Sequence, residues 1–136
     1  MIVYRGSSKG DFKIEKWKSS RYGFNALFFA NNLNLAKLYA QHRADEEYKR
    51  NGGFVYEFEI QNYLHSVDYG GQISHSNDFR NLMYKLQREG HKGVVIKNVY
   101  DYPSKKLFSL NMSDVIVIFD FDIIKSFKVI HSNVRS

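Results

Sequence analysis

Residues 26–39, ALFFANNLNLAKLY, decide how the chain is read. Ala26 to Ala30 is a short run without a polar side chain, the pattern of a strand buried on both faces. Asn31 and Asn32 follow, and an asparagine side chain at this position can accept an orphan backbone N–H of a helix start. Leu35, Leu38, Tyr39 and His42 then recur at i, i+3, i+4 and i+7, one face of a helix. The helix is predicted to run to about Arg50 and to stop at Asn51-Gly52-Gly53, a glycine C-terminal signal.

Outward from this strand–helix unit, Ile2 to Arg5 is a short β-prone run, ended by Gly6-Ser7-Ser8-Lys9-Gly10. Residues 11–26 carry no sustained period and read as loop, with one helical turn around Glu15 to Ser19. Phe54, Tyr56, Phe58 and Ile60 alternate with Val55, Glu57 and Glu59, as a half-buried strand requires. Residues 61–76 read as loop, punctuated by Gly70-Gly71. Phe79, Leu82, Met83 and Leu86 mark a second helix, with Asp78 in its first turn and Gly90 just past its end. Gly93 to Ile96 is a strand, Asp101 to Ser104 a turn, Asp114 to Phe121 an apolar strand and Lys125 to Ile130 a last one. Two helices among unevenly spaced strands predict an α+β fold in one domain, residues 1–136, rather than an alternating doubly wound one.

Composition narrows the function. With 11 Phe, 10 Tyr and 1 Trp, the chain has ample material for a core and is no disordered segment. The lone Pro103 argues against a proline-rich stalk. No cysteine is present, which removes disulfides, thiolate metal sites and a cysteine nucleophile together. The five histidines are scattered, without HExxH or HxH spacing, so no metal is predicted. Gly6 to Gly10 lacks the order of a phosphate loop and reads as a tight turn. No GxSxG elbow is present. The N-terminus lacks a basic-then-apolar leader, and no run approaches the roughly 18 apolar residues of a membrane span. The expectation is a cytoplasmic protein with no membrane partner. A net charge of +6 points to an anionic partner: nucleic acid, a phosphorylated cofactor or an acidic protein. Cations interleave with aromatics in Lys13 to Arg21 and Tyr84 to Lys92, which keeps nucleic acid open as a partner.

Three segments, in order, carry a resemblance. The first is Val3-Tyr4-Arg5-Gly6-Ser7-Ser8. The second is Leu27-Phe28-Phe29-Ala30-Asn31 followed by Ala36-Lys37-Leu38-Tyr39. The third is His91 to Asn98 with Ser113 to Phe119 and Lys125-Ser126, and Tyr56 to Asp68 lies between. Together they resemble the NAD-dependent ADP-ribosyltransferases, in particular the small phage-type and toxin-type members. The resemblance implies a split β-sheet core with two main helices. It implies NAD as substrate without a metal, and a mono-ADP-ribosyltransferase that modifies a host macromolecule, with a host protein as target, as a phage or mobile-element effector does in the host cytoplasm. Carried onto this chain, the Gly6 backbone holds the nicotinamide amide, Arg5 bonds ribose or phosphate, and Ser7 supplies a hydroxyl. Tyr39 stacks on the nicotinamide, Phe28 and Tyr4 form pocket walls, and Ala30 keeps the wall thin.

One departure matters. Active members of that family usually carry Glu or Gln near the start of the last segment, bonding the ribose 2′-hydroxyl, and in the small phage-type members it falls just before an Ile-Lys-Ser tripeptide. Here the tripeptide is Ile124-Lys125-Ser126, and Ile123 precedes it. Asp120 and Asp122 are near, and strand alternation would put them on one face, opposite Phe119 and Phe121. The expected catalytic set is therefore Arg5, Asp120 and Asp122. The other class left open is a catalytically inactive binder of NAD, nucleic acid or protein.

Overall fold

The computed structural model describes residues 1–13, 22–104 and 111–135. The helical turn expected near Glu15 to Ser19, and most of the Lys13 to Arg21 stretch, lie outside the described residues. The elements are β1 (Ile2–Ser7), β2 (Leu27–Ala30), α1 (Leu33–Glu46), β3 (Gly53–Ile60), β4 (His65–Ile73), α2 (Asn77–Arg88), β5 (Gly93–Tyr100), β6 (Ser113–Ile118) and β7 (Ile124–Val134). They form an α+β fold, with two helices and one open seven-stranded sheet of order β4-β5-β6-β2-β1-β3-β7. The sheet is mixed: β4 and β5 are parallel, and every other pair is antiparallel.

Its centre is its weakest seam. β1 pairs with β3 over six positions, but with β2 at one position alone, Tyr4 opposite Ala30. Beyond that pair the two strands part.

Alternation along the strands sorts side chains onto two faces. Leu27 and Phe29 turn to one face with Val3, Tyr56, Phe58, Ile116 and Ile118, where Phe12, Leu64, Phe121, Ile123 and Phe127 cover them. Phe29 meets Phe58 edge-on with centroids 4.8 Å apart, and Phe127 stacks on Phe58 at 5.2 Å. Much of the aromatic load is spent in this layer. Phe28 turns to the other face with Val94, Ile96, Val115 and Val117, and Phe79, Met83 and Leu86 of α2 pack on them. Tyr4 shares this face through its pairing with Ala30. Beside Tyr4, Ala36 and Ala40 of α1 press on Val55. Both helices thus lie on one face, α1 over β1 and β3, α2 over β5 and β6, with the seam between them.

The caps follow their chemistry. The Asn32 side chain accepts the N–H groups of Asn34 (2.8 Å) and Leu35 (3.2 Å), and Ser76 accepts that of Phe79 (3.1 Å). The buried face of α1, however, is Leu35, Ala36, Ala40 and Ala44. Of the predicted face of Leu35, Leu38, Tyr39 and His42, only Leu35 belongs to it, because alanine carries too little apolar weight to mark a core stripe. Small residues are what the packing demands. A Cβ on Gly6 would collide with the Ala36 carbonyl oxygen and the Ala40 amide nitrogen. Strand and helix backbones touch there.

Other differences have equally local causes. α1 ends at Glu46, and Asn51-Gly52-Gly53 closes the turn after it, with Gly52 at φ +83. Residues 65–73, read as loop, form the edge strand β4, whose polar sequence follows from exposure on one side. Gly70 and Gly71 both take positive φ and absorb the register shift between Asp68 and Gln72. Asp68 accepts Asn98 Nδ2 (3.1 Å) and the Gly70 N–H (2.8 Å), and these bonds hold its carboxyl below the ordinary range. The apolar strand predicted over Asp114 to Phe121 runs from Ser113 to Ile118, and a 3-10 turn follows at Phe121–Ile123. Asp120 caps that turn, accepting the Asp122 N–H at 2.9 Å. The strand alternation expected of Asp120 and Asp122 therefore does not apply.

Gly6→Ala is expected to destabilise the protein by about 1–3 kcal/mol, the cost of overpacking a closed contact. Ser132→Ala, on the exposed part of β7, is expected to change stability by less than about 0.5 kcal/mol. Urea unfolding followed by circular dichroism measures both. Equal midpoints for Gly6→Ala and wild type would contradict the backbone contact.

Candidate functional site

A cavity of about 430 Å³ opens where β1 and β2 part, between α1 and α2. Its size falls among small-molecule sites, which run from about 300 to 1,000 Å³. β1 contributes Tyr4, Arg5 and Gly6; β2 contributes Phe28, Phe29 and Ala30; α1 contributes Ala36, Tyr39, His42, Arg43 and Glu46. The far rim comes from Ser74, His75, Phe79 and Asp101. Six of the seven residues predicted to bind a cofactor therefore share one cavity: Tyr4, Arg5, Gly6, Phe28, Ala30 and Tyr39. Ser7 is not among the lining residues; its hydroxyl accepts the Lys9 N–H at 3.1 Å. Asp120 and Asp122 do not line it either, and Ile123 is buried in the aromatic layer on the opposite face.

Arg5 is the electrostatic centre. Alternation along β1 directs its side chain away from Tyr4 and Gly6, yet it lines the same cavity. Its Nη1 reaches across to β2 and donates to the Phe28 carbonyl at 2.9 Å. The bond supplies a partner where the β1–β2 ladder has stopped. Its Nε is buried and makes no hydrogen bond. Burial, and then repulsion from Arg43, bring its pKa well below the ordinary guanidinium range, to about 10. The side chain stays charged at neutral pH, so the cavity holds a desolvated, incompletely partnered cation beside a second guanidinium. An anion with two acceptor oxygens would offset that cost.

The opposite wall is organised by Asp101. Its Oδ1 accepts the Tyr39 hydroxyl at 2.6 Å and the Ser74 hydroxyl at 2.7 Å. Three elements are tied at one oxygen: α1 through Tyr39, the segment after β4 through Ser74, and the segment after β5 through Asp101. Next to it His75 bonds the Tyr102 carbonyl and its ring packs on that of Tyr102. His42 pairs with Glu46 at 2.6 Å one helical turn on. Phe28 faces Tyr22 with ring centroids 5.8 Å apart. A second, polar recess of about 380 Å³ shares Tyr22, Ser74 and His75 with the first and extends to Arg80 at the start of α2.

Sequence reasoning missed Ser74, His75, Asp101, His42, Arg43 and Glu46 as lining residues. For α1 the signal was present: Tyr39, His42, Arg43 and Glu46 fall at i, i+3, i+4 and i+7, a polar stripe beside the alanine face. For Ser74 and Asp101 it was hidden. They stand at the carboxyl ends of the parallel pair β4–β5, a customary place for ligand sites, but β4 had been read as loop. Among the described residues no three or more His, Asp or Glu side chains gather as a metal site, and no helix is long and apolar enough to cross a membrane.

Comparison of the chain with protein-family models and with curated proteins finds no match.

The unbonded Nε of Arg5 makes a testable demand. Inorganic pyrophosphate is expected to bind wild type and to bind at least tenfold more weakly to Arg5→Met. Anion binding raises the pKa of Arg5, so wild-type affinity is expected to fall as pH rises through about 10. Calorimetry at pH 8 to 11 measures this. The same affinity in Arg5→Met would show that Arg5 is not the anion receptor.

Proposed function

We propose that the chain is an ADP-ribosyltransferase-fold protein that binds NAD in the cavity at the sheet seam and transfers ADP-ribose to a macromolecule. One observation carries this reading. Tyr4, Arg5, Gly6, Phe28, Ala30 and Tyr39, the residues singled out by resemblance alone, converge from three elements on one cavity. The narrowing of the β1–β2 pairing to a single position supports a split-sheet core of the kind the resemblance implies. The chemistry is consistent with the lining. Two guanidiniums suit a pyrophosphate. Tyr39 and Phe28 offer ring faces to a nicotinamide, and the Gly6 backbone borders the same space. In the transfer, the bond from ribose C1′ to the nicotinamide nitrogen breaks, and its electron pair neutralises the pyridinium. An acceptor nucleophile bonds C1′ and releases its proton to water. Positive charge develops on the ribose ring on the way, as in glycoside cleavage. The resemblance implies a host macromolecule as the acceptor.

A second reading, an NAD binder without chemistry, is favoured by the position of Ile123 in the core and of Asp120 as a turn cap. Two measurements separate the readings. NAD is expected to bind wild type in calorimetry, and Tyr39→Ala to weaken it roughly fivefold or more, the loss of a stacked ring. Labelled NAD with cell lysate is then expected to release nicotinamide and label a macromolecule. Binding without release or labelling selects the binder. No binding to wild type rejects both.

A further inference from the structure

We infer that Asp101 is the carboxylate that receives the hydroxyls of the ligand's ribose in this cavity. The inference rests on the NAD reading above and adds to it a residue that no sequence motif marked.

Among the described residues, the cavity is lined by two carboxylates, Glu46 and Asp101. Glu46 is largely exposed in the last turn of α1 and pairs with His42. Asp101 is half-buried, and its two hydrogen bonds fall on one atom. Tyr39 and Ser74 both donate to Oδ1, whereas Oδ2 takes no hydrogen bond from the described residues. An ionised carboxylate offers about four acceptor sites. Two donors on one oxygen fix the plane of the group and leave the other oxygen as an oriented acceptor. Sugar hydroxyls are the matching donors, since phosphate oxygens would be repelled. The position suits the division of labour in the cavity. The guanidiniums of Arg5 and Arg43 supply the side for anions, and Asp101 supplies a wall where an anion is unwelcome and a neutral diol is bound. Tyr39 links the two functions: its hydroxyl is anchored to Asp101, which holds the ring in place as a stacking surface. A ribose held by Asp101 would lie beside a ring stacked on Tyr39, the order in which nicotinamide and its ribose are joined. A carboxylate at this place also opposes the positive charge that develops on the sugar.

The test is a calorimetric comparison of two ligands, NAD and its analogue with fluorine in place of the 2′-hydroxyl of the nicotinamide ribose, which cannot donate. They are titrated into wild type, Asp101→Asn and Tyr39→Phe, each checked for folding by circular dichroism. Wild type is expected to bind NAD about tenfold more tightly than the analogue, the worth of a hydrogen bond to a charged acceptor. Asp101→Asn is expected to lose that preference. Tyr39→Phe, which leaves the carboxylate and its Ser74 donor, is expected to keep it. Equal affinities of wild type for both ligands would overturn the inference while leaving the NAD reading in place. So would an Asp101→Asn protein that binds both ligands more weakly but still prefers NAD, since that is the behaviour of a mere prop for Tyr39. Failure of wild type to bind either ligand would remove the NAD reading, and the inference with it. If Asp101→Asn does not fold, Asp101→Ser takes its place with the same two outcomes, and Ser74→Ala is expected to keep the preference.

Discussion

The contact between Gly6 of β1 and the Ala36–Ala40 turn of α1 brings strand and helix backbones together with no side chain between them. Much of the cavity follows from it. A helix seated that low cannot roll, because Ala36, Ala40 and Ala44 must face the sheet. The residues next to that stripe, Tyr39, His42, Arg43 and Glu46, then line the cavity at the seam, Tyr39 and His42 half-buried and Arg43 and Glu46 at its exposed edge. The hold on the other side of β1 is β3, paired along its whole length. β1 therefore moves with α1 and β3, and the loss of pairing falls at its junction with β2. The cavity is the space this division leaves.

Arg5 belongs to both halves of that arrangement. Its Nη1 bridges β1 to the Phe28 carbonyl, so it closes the sheet where the backbone ladder does not. Its Nε, buried without a hydrogen bond from the described residues, and its lowered pKa mark the electrostatic cost of burying it beside Arg43. A purely structural bridge would be served as well by a neutral donor. Retaining a desolvated guanidinium beside Arg43 makes physical sense when an anion completes the site. One side chain thus joins the stability of the seam to the charge preference of the cavity.

Strands and helices were legible in the sequence where apolar weight is large. Phe54 to Ile60, Phe79 to Leu86 and Leu27 to Ala30 all lie within the elements observed. They bury Phe, Leu, Ile or Met, whose spacing reports the period directly. What was not legible depends on small or polar residues. The alanine face of α1 carries little hydrophobic signal, and β4 is an exposed edge whose Gly70-Gly71 pair looks like a turn until its parallel partner β5 is known. The site divides the same way. Arg5, Gly6, Phe28 and Tyr39 sit in short local segments, and a local pattern could single them out. Asp101, Ser74 and His75 reach the cavity only through the β4–β5 pairing, a long-range fact that no window along the chain contains.

The same pairing bears on where an acid can stand. After β6 the chain turns at once into the 3-10 turn, with Asp120 spent on the cap and Phe121 and Ile123 driven into the aromatic layer. A carboxylate at position 123 would have to enter that apolar layer, where an ionised group has no partner to offset its desolvation. Isoleucine there is what the packing requires. The carboxyl ends of β4 and β5 face the opposite side, above the seam and opposite the guanidiniums, in a place polar enough to keep Asp101 hydrogen-bonded on one oxygen and open on the other. The acid absent from the end of the chain and the acid present at the cavity are thus consequences of one sheet. Its aromatic face buries Ile123, and its helix-bearing face carries Asp101 at the rim of the cavity between α1 and α2.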